Sequence, residues 1–171
     1  MRDQHSRLIA PSCLVIGAVF GMAGTFVASA SLRGLLWGID GIALIVATAL
    51  LALHHFRRGN DVVAAGFLVF VAGETLILAS AAMALAAGAP VFGAGVGLWA
   101  ASLTLISAPN VMPSWIRAVA VVGAVLFGVV AFQVFTGRPV TPLSQPLPFL
   151  AYPFLAATLF GLAWKHYRDA N

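Results

Sequence analysis

The sequence predicts an all-α integral membrane protein: a compact bundle of six transmembrane helices forming one domain over 1–171, with both termini cytoplasmic. Three observations carry this expectation. Apolar residues make up 61% of the chain and charged residues 8%, against about 25% charged in an ordinary soluble domain, so the charges cannot clothe a water-facing surface. The apolar residues fall in long continuous runs rather than in alternation, which is the pattern of spanning helices and not of a barrel. Basic residues crowd one side of the resulting topology: Arg2, Arg7, Arg57, Arg58, Arg117, Lys165 and Arg168 against Arg33 and Arg138. Positive residues favour the cytoplasmic side, which places the termini there. Topology thereby accounts for the formal charge of +4, and no nucleic-acid partner is expected. Arginine outnumbers lysine eight to one and alanine and glycine are abundant, which suits a GC-rich genome and a bacterial inner (plasma) membrane.

The polar Met1–Arg7 stretch precedes a first span over 8–30. This run has the outline of a secretory signal, with Ala28-Ser29-Ala30 as a cleavage site, but exceeds the roughly 7–15 apolar residues of such segments, so it is expected to be retained. Arg33 sits in the following turn. The second span covers 35–56, with Trp37 near one end and Asp40 just inside it. A polar stretch, His54 to Asp61, leads to the third span over 62–87. Gly88-Ala89-Pro90 is expected to be the next turn, because glycine and proline both interrupt helices. The fourth span covers 91–108, and Pro109 to Pro113 connects it to a fifth over 115–135 with Ser114 as N-cap. Pro139, Pro142, Pro146 and Pro148 predict an extended strap over 136–148. The sixth span covers 149–164, and a polar tail follows.

Glu74 stands at the centre of the third span and is the sharpest chemical feature of the chain, because a carboxyl group at mid-membrane is costly and marks a functional site by default. Small residues recur on the same span every seven positions, as Ala65-Gly66, Ala72-Gly73, Ala79-Ser80 and Ala86-Ala87. They offer a close-packing face for a neighbouring helix, a protein partner or a second copy of the chain. At about 100° per residue Glu74 points roughly 150° from that stripe, which predicts a central helix. A turn centred near Ala89 sets residue 74 level with 103–104, making Trp99, Ser102 and Thr104 the candidate hydrogen-bond partners. No basic residue shares that depth, so Glu74 is expected to keep its proton near neutral pH.

Asp40, Gln133 and Arg138 are candidates for an outer vestibule, with Asp40 paired to Arg138 or Arg33, or simply hydrated among the headgroups. His54, His55, Arg57, Arg58 and Asp61 form a cytoplasmic polar edge, read as an interfacial cap touching membrane lipid. Adjacent histidines face different sides of a helix, so no metal site is expected. Nor is any cofactor, since mid-membrane histidine pairs for haem are absent. The chain carries no phosphate loop and no nucleophile elbow.

The leading functional expectation is a structural or partner-binding membrane module without catalysis. The alternative is a small proton-coupled transporter or permease using Glu74 as its protonatable site, and a lipid-directed enzyme at the polar edge is a third. Tight packing with a satisfied hydrogen bond at Glu74 would favour the module, and a polar cavity reaching Glu74 would favour transport. A cleft joining His55, Asp61 and Arg117 would favour the enzyme.

Overall fold

Helix ends are set by local chemistry. Asp61 opens one helix with a carboxylate in its first turn, where the helix dipole favours negative charge. The preceding helix closes with Asn60 N–H donating to His55 O and Gly59 N–H to Phe56 O. This pair of bonds needs a left-handed residue, which Gly59 supplies at φ 72°. Gly137, at φ 85°, closes a later helix in the same way, through Gly137 N–H to Val134 O and Arg138 N–H to Gln133 O.

The computed structural model describes residues 2–83, 85–138 and 140–170, with backbone alone for 2–7, 85, 86 and 170. They form six helices: α1 (Arg2–Phe26), α2 (Ala30–Phe56), α3 (Asp61–Ala81), α4 (Leu85–Ser107), α5 (Ser114–Phe135) and α6 (Tyr152–Ala170). Among the described residues there is no strand. Five of the six, all but α6, are long and apolar enough to cross a membrane. In α6 the apolar stretch from Tyr152 to Trp164 is too short, about 20 Å at 1.5 Å per residue. The outer surface is itself apolar, with Phe26, Phe56, Phe132 and Phe135 at 64–69% exposure, as expected where lipid is the solvent.

Each helix packs closely on its neighbours in the chain, and α1 closes on α6, so the six make a ring. No helix is enclosed by the others, and α3 is a ring member flanked by α2 and α4, not a central helix. The α3–α4 seam is intimate because Gly66 and Gly73 lie on it: a Cβ at Gly73 would come within 3.0 Å of Gly95 O and 3.0 Å of the Trp99 ring. The glycine half of the small-residue stripe is therefore occupied inside the molecule, whereas Ala65, Ala72 and Ala79 are exposed.

Several boundaries differ from expectation. Arg33 is not in a turn but in the first turn of α2, where it donates to Val27 O, just past the end of α1, at 2.7 Å. Ser29 caps α2 by accepting from Leu32 N–H. The third helix stops at Ala81 rather than 87, and Gly88-Ala89-Pro90 is not a turn but the opening of α4. Pro90 removes only a bond to the first turn, and Gly88 is required there because a Cβ would lie 2.8 Å from Ser80 O. Pro113, not Ser114, is the residue preceding α5. The proline-rich strap is a chain of turns rather than an extended segment: Ser144 Oγ accepts from Thr141 N–H at 2.8 Å, and Leu150 N–H donates to Pro146 O at 3.0 Å. Pro139 lies outside the described residues.

Candidate functional site

Asp40 and Glu74 line one cavity inside the ring. Because α2 begins at Ala30, Asp40 is ten residues in, about 15 Å along the axis. Glu74 is seven residues from the end of α3 at Ala81, about 10 Å by the same rise. Both ends lie on the distal side, away from the chain termini. The two carboxyls thus stand at similar depth on adjacent helices and interact electrostatically.

The opposite wall makes room for Asp40. On α1, Gly17, Gly21 and Gly24 face α2: a Cβ would lie 2.3 Å from Leu44 at the first, 2.7 Å from Asp40 Oδ2 at the second and 2.5 Å from the Trp37 ring at the third. Small residues at this spacing let helices approach closely in an apolar medium, and here they seat a carboxyl and an indole. Trp37 Nε1 donates to Gly21 O at 3.3 Å, which fixes the indole beside Asp40.

Both carboxyls line a cavity of about 80 Å³ bounded by α1, α2, α3, α4 and α6, with Trp37, Phe92, Trp99 and Tyr152 as its aromatic walls. Glu74 is 2% exposed and Trp99 5%. The indole and the carboxyl face each other, yet Glu74 Oε2 and Trp99 Nε1 are both buried without a hydrogen bond of normal geometry, as is Asp40 Oδ1. Behind Trp99, Phe70 stacks at 5.9 Å and Phe127 meets it edge-on at 5.2 Å, so the indole is held from both sides. A second chamber of about 310 Å³ lies on the distal side and shares Trp37, Ser80, Ala81, Phe92 and Pro142 with the first. Those five residues are the partition between them. Arg33 lines the distal chamber, but its guanidinium is turned onto the Val27 and Ala28 carbonyls of the α1–α2 link and lies 5.9 Å from the Trp37 ring centre.

The expected partners of Glu74 are otherwise distributed. Thr104 is exposed and donates to Ala100 O at 2.8 Å, so it turns away from the interior. Ser102 is fully buried, but its hydroxyl makes no hydrogen bond and it does not line the cavity. The early end of α3 shifts the depth match along α4 and leaves Trp99 as the α4 residue opposite Glu74. Asp40 lines the cavity, and among the described residues no ion pair joins it to Arg138 or Arg33. Arg138 is exposed, and neither it nor Gln133 lines either chamber.

At the terminus side, the polar edge divides. Arg57, Arg58 and Asp61 are exposed, but His55 is 1% exposed and stacks on Phe67 at 5.5 Å. His54, His55 and His166 form a triangle with ring centres 5.3–5.4 Å apart. His166 belongs to α6, not to a free tail, and lies past the apolar stretch that ends at Trp164. Burial, then Lys165 and the two neighbouring histidines, push it down to about 3. The rings meet edge to face, and among the described residues no three His, Cys, Asp or Glu side chains are grouped to hold a metal ion. Arg117 is committed elsewhere: it donates to Ser107 O at 2.6 Å and to Asn110 Oδ1, so His55, Asp61 and Arg117 do not share a cleft.

No protein-family model matches the chain, and neither a curated protein nor a solved structure matches it. The cavity geometry is therefore the ground for a functional reading.

Proposed function

We propose that the protein is a small proton-coupled transporter of the plasma membrane, with both termini cytoplasmic and the Asp40–Glu74 cavity as its cation site. One observation carries the reading: two carboxyls face one cavity, and among the described residues no cationic side chain lines it. Like charges sharing a cavity of low polarity repel, so the two carboxyls favour a proton, or a cation from outside, in the space they line. A carboxyl that only pins helix register would end on a satisfied bond in tight packing. Glu74 faces the Trp99 N–H without a hydrogen bond of normal geometry, and its carboxyl borders the cavity. The sidedness rests on the excess of arginine and lysine at the terminus side, which makes the distal chamber the outer mouth.

The test is proton flux in liposomes bearing an imposed pH gradient. Wild type is expected to dissipate the gradient faster than protein-free liposomes, and Glu74→Gln and Asp40→Asn to reduce that excess at least tenfold while remaining folded. Flux unchanged in both variants, or absent in wild type, would overturn the assignment.

A further inference from the structure

The walls around the two carboxyls identify the kind of cation they suit. A metal cation of the sodium or calcium type takes about six or more oxygen ligands converging on one point. The cavity brings only two carboxyls together. Its hydroxyls are dispersed: Ser80 stands six residues beyond Glu74, about 9 Å along α3, and donates to Ile77 O, while Thr25 donates to Gly21 O. The rest of the lining is aliphatic or aromatic, with Trp37, Phe92, Trp99 and Tyr152 around the acidic pair. Aromatic faces attract cations that carry no tight hydration shell, quaternary and alkylated ammonium above all. The acidic pair does not stand alone as evidence: Glu74, 2% exposed, lines the cavity, and its buried Oε2 makes no hydrogen bond of normal geometry.

We infer that this cavity binds a small organic ammonium ion, its charge against Asp40 and Glu74 and its alkyl groups against Trp37, Trp99, Phe92 and Tyr152. The inference rests on the reading of the carboxyl pair as a cation site and adds the substrate class. Size follows from volume. An apolar cavity of about 150 Å³ holds benzene, so one of about 80 Å³ limits the site to the smallest organic ammonium ions. Tetramethylammonium and choline are the small probes of that class, and tetrabutylammonium is far too large. Ammonium and proton compete for one pair of carboxyls, so binding weakens as pH falls. The ionisable groups facing the ion are Asp40, Glu74 and Tyr152, with Arg33 in the outer chamber tied to the α1–α2 link.

The experiment is binding to purified protein in lipid nanodiscs, read by fluorescence of the cavity tryptophans and by calorimetry. The titrants are tetramethylammonium, choline, tetrabutylammonium, sodium, potassium and 3,3-dimethyl-1-butanol, the uncharged counterpart of choline. Saturable binding of the two small ammonium ions is expected, at least tenfold tighter than that of the neutral alcohol or tetrabutylammonium, with no competition from sodium or potassium. Glu74→Gln should weaken it at least tenfold. Because Glu74→Gln can also fail to fold, the comparison of choline with its neutral counterpart on wild type stands independently of it. Binding of sodium or potassium without ammonium would overturn the substrate class and leave the cation site in place. Equal binding of choline and the alcohol would overturn the class by showing an apolar pocket indifferent to charge. No binding of any ion, together with no proton flux, would overturn both the class and the transporter reading.

Discussion

At the scale of single residues, the glycines of α1 decide whether the site can exist. Gly17 and Gly21 have no room for a methyl group, because Leu44 and Asp40 occupy the space. Gly34 and Gly38 on α2 have nothing within 4 Å. Overpacking a tight interface costs about 1–3 kcal/mol, whereas replacing an unhindered glycine inside a helix gains about 0.5–1 kcal/mol. Gly17→Ala should therefore lower the apparent Tm in detergent and Gly38→Ala should raise it slightly. A fall of equal size in both would remove the close-approach argument. His166 supports a pH prediction. Burial holds it neutral in the folded state, down to about 3, while an unfolded histidine takes up a proton below about 6.5. Stability is thus full above that value and is lost as pH falls towards the folded value, by about 2 kcal/mol between pH 7 and pH 5. His54, His55, Lys165 and Asp169 are the titratable groups acting on this imidazole. His166→Gln should flatten the decline of apparent Tm over this interval, and an identical decline in variant and wild type would refute the assignment. Individual residues were only partly legible in the sequence. Glu74 is conspicuous by being charged, but its sharing of a cavity with Asp40 depends on the glycines at 17, 21 and 24, a spacing visible in the sequence whose partner helix is not.

At the scale of helices, order and number follow directly from the apolar runs, because each element must satisfy its own backbone. Boundaries were less legible where glycine and proline read as breakers. Pro90 is harmless in the second turn of α4, since the carbonyl it leaves without a partner lies in the opening turn. Gly88 is not a breaker but a contact residue against α3. Placing the turn at Gly88–Pro90 rather than directly after Ala81 shifts α4 against α3, which is why Ser102 and Thr104 look like partners of Glu74 from sequence. The α4–α5 corner shows how an end is fixed without a cap residue. Arg117 donates through Nε to Ser107 O at 2.6 Å and through Nη2 to Ala108 O at 3.2 Å, with Nη1 on Asn110. A guanidinium fork meets several acceptors at once, which an ammonium cannot. Arg117→Ala should cost about 1–2 kcal/mol, a loss of about 2–8 °C in apparent Tm for a chain of this size. Arg117→Lys should recover less than half of it. Full recovery by lysine would show that charge near the helix end, rather than the fork, does the fixing.

At the scale of the whole molecule, closing α6 onto α1 gives the ring an axis, and the buried residues are layered along it. From the distal side come the larger chamber, the partition of Trp37, Phe92 and Pro142, and then the carboxyl cavity. Beneath it Leu14, Leu51, Phe67 and Phe70, each at most 2% exposed, fill the interior down to the histidine triangle. This order makes the cavity asymmetric, with two chambers on one side and a continuous apolar plug on the other. Water and small reagents should reach the carboxyl region from the distal side alone. Cysteine labelling measures this once Cys13, which is half-buried in α1, is replaced by serine. Ser80→Cys lies in the partition and should react with a membrane-impermeant maleimide added on the side opposite the termini. Ala47→Cys, at a position fully buried two turns nearer the termini than Asp40, should stay unreactive from both sides. Labelling of Ser80→Cys from the terminus side would reverse the direction of access. Labelling of Ala47→Cys from the terminus side would show the plug open, and an ion-conducting pore rather than a one-sided cavity would then be the better description of the ring.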